Sequence, residues 1–158
     1  MSDNQLTIHD RLDAILESIK LIQEWSSGRK TVHDFMVSPT GVMAFNACVM
    51  RFQVIGEHVG KLLKNSDNPL SAYPDIPWNA IYGMRNFISH EYANIDEEII
   101  VSAINDDLPP LKAAIENLLE KYWFESAQRN RPYLCIWDDK HQILALGCGD
   151  FFMPKCET

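Results

Sequence analysis

The chain has 158 residues, of which 46% are hydrophobic and 23% are charged, a size and balance typical of a one-domain globular protein. Its formal net charge of −8 argues against broad binding of nucleic acid, which needs a basic surface, but leaves room for a small local phosphate site. The sequence has no apolar run of the roughly 20 residues that cross a bilayer. Its start, MSDNQLTIHD, lacks the basic-then-apolar plan of a signal peptide. We therefore expect a cytoplasmic protein with no membrane partner.

Metal and cofactor sites are poorly supported by the sequence. The four cysteines are Cys48, Cys135, Cys148 and Cys156. They form no C-x-x-C pair, and in a cytosolic protein they are expected to be thiols. Glu57 and His58 are adjacent, but a di-iron bundle needs Glu-x-x-His on two helices, and that spacing is absent. We predict neither a metal nor a cofactor.

The first half of the chain predicts two long helices separated by a short one. Apolar residues recur at helical spacing from Leu12 to Trp25, and Thr7 with Asp10 forms a possible N-terminal cap. A short helix is expected around Thr31 to Met36. Ser38-Pro39 then reads as an N-cap followed by proline at the first helical position. The helix that it opens runs to the NSDNP segment at 65–69.

The second half predicts three more helices. One begins near Pro77 and carries GMRNFISHEY at 83–92, and Asn94 with Glu97 resembles the capping box of the next. The segment NDDLPP at 105–110 is expected to end that helix and to open a last one, with Asp107 as its cap. Because the connections are short, we predict an all-α, up-down antiparallel bundle of four to five helices.

Residues from about 124 onward lose helical periodicity. They are typical either of two short strands around Asp138-Asp139-Lys140 or of a poorly ordered extension. We therefore divide the chain into a helical bundle, residues 1–123, and a C-terminal extension, residues 124–158.

The stretch at 83–92 places an arginine and a histidine in an otherwise apolar helix. Arg85 and His90 are five residues apart, about 140° around a helix at about 100° per residue, so they do not stack. Either the long arginine side chain spans the gap, or each residue meets partners from a second copy of the helix. Gly83, in line with Asn86 and His90, would let such a helix approach closely.

This residue set suits RNA cleavage without metal. Histidine can take or give the proton of a ribose hydroxyl near neutral pH. The guanidinium of Arg85 matches phosphate oxygens, and Asn86 is placed to orient the phosphate or the imidazole. On spacing alone, however, such residues more often form ordinary polar contacts, and a tyrosine such as Tyr92 more often packs at a helix end.

The same region resembles the signature of the HepT family, the toxin members of the HEPN ribonuclease superfamily. Residues 74–96 contain the R-x-x-x-x-H-x-Y motif, filled by Arg85, His90 and Tyr92. VIGEHVGKLL at 54–63 resembles the I-G-E segment of the family, and INDDLPPLKAAIENLL at 104–119 resembles its closing helix. The likeness runs in matching order from about residue 5 to residue 123 and leaves out the extension.

The resemblance implies a homodimer in which the motif helices of two protomers line one cleft. Arg85, Asn86 and His90 would be the ribonuclease residues, acting without metal and leaving a 2′,3′-cyclic phosphate. Tyr92 would accept AMP from a cognate MntA-type nucleotidyltransferase antitoxin. We add two supporting residues, Ser89 and Glu57, and expect Glu57 to pair with Arg85 or another polar neighbour.

Two functional hypotheses follow from the sequence. The first is the toxin of a type II or VII-like toxin–antitoxin pair, an endoribonuclease that AMPylation silences. The alternative is a non-catalytic helical module that scaffolds or regulates a nucleotidyltransferase or binds a nucleotide, which the acidic composition favours modestly.

Overall fold

The described residues of the computed structural model contain six α-helices. They are α1 (Ile8–Trp25), α2 (Val32–Met36), α3 (Pro39–Leu63), α4 (Trp78–His90), α5 (Glu97–Ser102) and α6 (Leu108–Asn130). A 3-10 turn, Pro69–Ala72, lies between α3 and α4. The structure describes residues 6–90, 95–130, 136–137 and 143–144, with the backbone alone for His90, for 123–130 and for the last two pairs.

Side-chain caps fix the starts of the first three helices, and the sequence predicted the caps of α1 and α3. The Thr7 hydroxyl accepts a hydrogen bond from the Asp10 backbone N–H, and the Asp10 carboxylate accepts one from the Thr7 N–H. Thr31 and Asp34 repeat this capping box ahead of α2. The Ser38 hydroxyl caps α3 by accepting from the Gly41 N–H, with Pro39 at the first helical position.

One apolar core joins the helices into the predicted all-α bundle. Helix α3 packs against α1, α2 and α4. The largest fully buried side chains come from all six helices and the 3-10 turn: Leu12, Ile15, Ile19, Ile22, Phe35, Ile55, Leu62, Leu70, Ile88, Ile100, Leu108 and Ile115. Among the described residues, no helix combines the length and apolarity needed to cross a membrane.

The sequence prediction of a helix break at 105–110 is wrong. The chain stays helical from Glu97 to Asn130, and Ala103–Asp107 forms a π-helical segment between α5 and α6. The Leu108 N–H donates to the carbonyl of Ala103, five residues back. Pro109 and Pro110 lack the N–H groups that regular α-helical bonding would require there, and the wider π turn carries the helix past them. Asp107 therefore lies inside the helix and does not cap it.

The start of α5 also differs from the prediction. The helix begins at Glu97, and its cap is Asp96, whose carboxylate accepts from the Glu98 N–H. The proposed cap, Asn94, lies outside the described residues. Both residue types cap helices well, and Asp96 is the one that directly precedes the first turn of α5.

The chain divides into two compact units, Met1–Trp123 and Phe124–Thr158. In the second unit, strands β1 (Ile136–Trp137) and β2 (Ile143–Leu144) pair antiparallel, with Ile136 opposite Leu144 and Trp137 opposite Ile143. They lie on either side of 138–142, where the sequence indicated a turn between two short strands.

Candidate active site on helices α3 and α4

Two glycines of α3 bring α4 into close contact with it. A Cβ atom built on Gly56 would lie 2.5 Å from the Cβ of Arg85, and one built on Gly60 would fall on the ring of Tyr82. Any larger residue at either position would have to push the helices apart. This packing seats the start of the Arg85 side chain directly on the surface of α3.

The guanidinium group of Arg85 is held by one residue from each helix. Its Nε lies 3.3 Å from Oε2 of Glu57, and its Nη1 donates to Oδ1 of Asn86 at 3.0 Å. The expected pairing of Glu57 with Arg85 is therefore present. Neither partner occupies Nη2, so one edge of the donor fork remains for an anion.

Cations close to Glu57 lower the pKa of its carboxyl group. The Lys61 ammonium lies 3.1 Å from its Oε1. The hydrogen bond from Lys61 is the largest cause of the lowered pKa, and the charges of Lys61 and Arg85 add to it. Both side chains of the Glu57–Arg85 pair are more than one-third exposed, at 41% and 36%, so the pair orients the arginine more than it stabilises the fold.

Ser89 links the next turn of α4 to α3. Its hydroxyl donates to the backbone carbonyl of Arg85 at 2.9 Å and accepts from Nε2 of Gln53 at 3.2 Å. Through these bonds Ser89 connects Gln53 to the turn of helix that carries Arg85, so the residue supports the site without being placed to react.

These side chains surround an open groove of about 400 Å³ between the two helices. The residues that line it are Met50, Gln53, Val54, Glu57, His58 and Arg85. The α3 members recur at helical spacing, which places apolar and polar groups side by side along one stripe of the helix. Such a groove can take a phosphate at its charged end and a flat apolar group beside it.

His58 is the groove residue whose role the sequence did not reveal. Its Nδ1 is buried and has no hydrogen-bond partner among the described residues, and the same holds for Nη1 of Arg11 on α1. Burial, followed by the charges of Arg11 and Lys61, lowers the pKa of His58 below its ordinary value of 6.5, and Glu57 opposes this shift. The imidazole is consequently neutral at pH 7.

The structure places the predicted site residues as follows. Arg85 and Glu57 line the groove, and Asn86 and Ser89 each form a hydrogen bond with Arg85 on α4. His90 is the last residue of α4, five residues beyond Arg85, and its side chain is not described. Tyr92 lies outside the described residues.

A second cavity, of about 340 Å³, lies between α3, α4 and the π-helical segment. Its lining includes Ile81 and Met84 of α4, Phe52 of α3 and Leu108 of α6. The motif helix thus turns Ile81, Met84 and the buried Ile88 toward the apolar interior. Within the described part of the chain, no group of three or more histidine, cysteine or acidic residues is arranged to hold a metal ion.

Comparison with known proteins identifies relatives over the helical unit. A sequence model described as "Ribonuclease HepT-like" matches residues 15–118. A protein of Thermococcus cleftensis, described as a probable ribonuclease HepT, is 29% identical over 109 residues, which cover 69% of this chain and 93% of the relative. A protein of Caldanaerobacter subterraneus, described as a candidate RNase, is 31% identical over 110 residues, or 70% of this chain and 92% of the relative.

A third relative, from Methanocaldococcus jannaschii and also described as a candidate RNase, is 27% identical over 70 residues, or 44% of this chain and 62% of the relative. No solved structure matches the chain. The family match extends over α3 and α4 and therefore includes the groove and its arginine. The chain belongs to the ribonuclease HepT-like family.

Proposed function

We propose that the protein is a metal-independent endoribonuclease and the toxin of a type II or VII-like toxin–antitoxin pair. The observation that carries this proposal is the Arg85 guanidinium, which Glu57 and Asn86 orient at an open groove. His90 follows five residues later on the same helix. Membership of a ribonuclease family makes RNA the substrate that best fits this anion site.

The reaction needs only side-chain chemistry. A base removes the proton of a ribose 2′-OH, the 2′-oxygen bonds to phosphorus, and the bond from phosphorus to the 5′-oxygen breaks. An acid protonates the departing 5′-oxygen, so a 2′,3′-cyclic phosphate and a 5′-hydroxyl end result. Arg85 stabilises the charge that builds on the phosphoryl oxygens, Asn86 orients its guanidinium, and His90 transfers a proton.

Local charge accommodates an RNA strand in spite of the acidic composition. Lys61 and Lys64 lie near the end of α3, and Lys64 stands 5.6 Å above the ring of Tyr82 on α4. With Arg85 they place three cations on one side of the α3–α4 pair. A strand that contacts a few phosphates there avoids most of the negative surface.

The proposal includes a homodimer in which two α4 helices share a cleft. A Cβ atom built on Gly83 meets nothing within 4 Å, so this position is open to a second helix. Phe87, one helical turn further along α4, is an exposed apolar side chain at 38%. A second copy of this face would cover this side chain.

Regulation and location complete the proposal. A cognate MntA-type nucleotidyltransferase would add AMP to Tyr92, two residues beyond His90. The added phosphate and adenosine would repel and obstruct an RNA strand at the neighbouring arginine. Both proteins would act in the cytoplasm.

The direct test is the His90→Ala variant, assayed for RNA cleavage and for growth inhibition. Loss of both activities in a folded protein supports the proposal. The matched control is His33→Ala, because His33 is exposed on α2, away from the groove. Cleavage that survives in purified His90→Ala would contradict the assignment.

The competing function is a non-catalytic module that holds a nucleotidyltransferase or a nucleotide. The net charge of −8 and the Glu57–Arg85 ion pair, which already satisfies part of the arginine, favour it. This alternative predicts tight binding of the partner with no cleavage by the wild-type protein. Partner binding unchanged in His90→Ala, together with absent nuclease activity in both proteins, would select it.

A further inference from the structure

An imidazole, that of His58, lines the groove beside the arginine. His58 projects from α3, next in sequence to the glutamate that holds Arg85, and both His58 and Arg85 are lining residues of the same open groove. His58 lies on α3, whereas His90 is the last residue of α4. The α3 side of the groove therefore carries a group that can transfer a proton, next to the arginine of α4.

The environment of His58 is unlike that of a structural histidine. A histidine that serves packing normally has its ring nitrogens hydrogen-bonded, because an unpaired buried polar atom costs roughly 1–3 kcal/mol. The buried Nδ1 of His58 has no partner among the described residues. The buried ring thus destabilises the fold, and no described contact offsets this effect. Unsatisfied buried polar groups of this kind are often catalytic residues.

Charged groups from three helices act on His58 or share its groove. Arg11 approaches from α1, Glu57 and Lys61 flank it on α3, and Arg85 of α4 lies across the groove. Two cations of this set and the burial of the ring act in the same direction and lower its pKa. A neutral imidazole next to an anion-binding arginine is a proton acceptor at pH 7.

We propose that His58 is a second catalytic residue, the general base that removes the 2′-OH proton, with His90 as the acid that protonates the 5′-oxygen. This assignment rests on the proposed ribonuclease function. After cleavage His58 holds the proton taken from the 2′-OH and His90 has lost one. Exchange with water restores both, so atoms and charge balance without any co-reactant. Arg85 binds the phosphate that lies between the two imidazoles.

The primary test is the pH dependence of RNA cleavage by His58→Gln. Glutamine keeps a polar side chain of similar reach but transfers no proton at these pH values. We expect kcat to fall about 100-fold or more. In the wild type, kcat/KM should fall about tenfold per pH unit on the acidic side, as His58 becomes protonated. The variant should lose this acidic limb and keep the basic one. His33→Ala, on exposed α2, should retain the wild-type profile.

A second measurement uses the wild-type protein and is independent of turnover. An all-deoxy oligonucleotide has no 2′-OH, so it binds without being cleaved. Its phosphate should stabilise the charged imidazole, and the NMR titration midpoint of His58 should rise when it binds. A His58 titration unchanged by saturating oligonucleotide overturns the proposal even if the glutamine variant does not fold.

The outcomes separate this inference from the function beneath it. If the wild type cleaves RNA, His90→Ala does not, and His58→Gln keeps the wild-type pH profile, only the role of His58 is refuted. If the wild type cleaves no RNA under any condition, both the proposed function and the role of His58 are refuted. The assignment of His58 is supported if His58→Gln loses the acidic limb of the pH profile and His33→Ala keeps it.

Discussion

The two faces of helix α3 differ sharply in the burial and polarity of their side chains. The face toward the interior carries Ile55, Val59 and Leu62, which are fully buried. The face toward α4 carries partly exposed Gln53, Glu57 and His58 around an open groove. Free energy of folding comes mainly from the first face, at about 25 cal/mol per Å² of buried apolar area. The second face contributes little to stability, but it carries the side chains that can bind an anion or transfer a proton.

The separation of the buried face from the groove-lining face explains how a bundle with a negative net charge can carry a candidate anion site. The buried face fixes α3 rigidly, and Gly56 and Gly60 then let α4 approach it within contact distance. Charged side chains at the groove need not stabilise anything, because the helices on which they lie are already positioned. Substitutions on the two faces should therefore separate stability from activity.

The largest effect is expected for Arg85→Ala. Removal of the guanidinium that stabilises the phosphoryl charge should lower kcat/KM about 10³-fold, measured on a defined RNA. The free energy of unfolding should change by less than about 1 kcal/mol, because the Glu57–Arg85 pair is substantially exposed. The matched control is Arg51→Ala, which removes the same charge from α3 where it stacks on Trp25. A similar loss of activity in both variants would mean that net charge, and not the groove, matters.

On the buried face, Ile55→Ala should lower the free energy of unfolding by about 2–5 kcal/mol. Ile55 is fully buried in the core, so its loss leaves a cavity. Val54→Ala, at the adjacent partly exposed position, should cost less than about 1 kcal/mol. Urea unfolding checks both, and equal costs would remove the distinction between the faces.

Between the faces, the glycines provide an intermediate effect. Gly60→Ala should destabilise the protein by about 1–3 kcal/mol, because the new Cβ would overlap the Tyr82 ring. Gly83→Ala should be neutral or stabilise by up to about 1 kcal/mol, since its Cβ meets nothing within 4 Å.

Gly83→Leu should keep the fold and split the proposed dimer, which light scattering would detect. A monomeric wild-type protein would contradict the shared cleft.

The smallest effect concerns a helix cap remote from the groove. Hydrogen bonds from the Lys30 backbone and from Thr31 lower the pKa of Asp34 below its ordinary 3.8. The carboxylate therefore stabilises the fold fully above that value, and this contribution is lost as pH falls through the lower folded-state pKa. Asp34→Asn should make the acid loss of stability shallower, as followed by circular dichroism, without changing RNA cleavage at pH 7. An unchanged acid profile would show that the cap contributes nothing.

Local patterns in the sequence were sufficient for most of the fold. Thr7 with Asp10, and Ser38 with Pro39, each act within four residues, so these two caps were predicted from the sequence. The π-helical segment could not, because Pro109 and Pro110 usually end a helix. Here the chain continues because Leu108 and neighbouring residues are buried in the core.

The candidate site likewise could be predicted only in part, because some of its features depend on contacts between helices. The pairing of Glu57 with Arg85 was one of the contacts expected from the sequence, and the structure contains it. The proposed role of His58 was not expected, because it depends on Arg11 of α1 and on burial between helices, which are properties of the folded chain. The only indication in the sequence was its position eight residues after Met50, which places both residues on the same stripe of α3.

The most direct test of the central claim is cleavage of one RNA, and of its all-deoxy counterpart, in the presence of a chelator. If the groove uses the ribose 2′-OH as the nucleophile and arginine in place of a metal, the RNA is cut to 2′,3′-cyclic phosphate and 5′-hydroxyl ends. The deoxy strand then stays intact. Cutting of the deoxy strand, 5′-phosphate ends, or complete loss of activity on chelation would contradict the account.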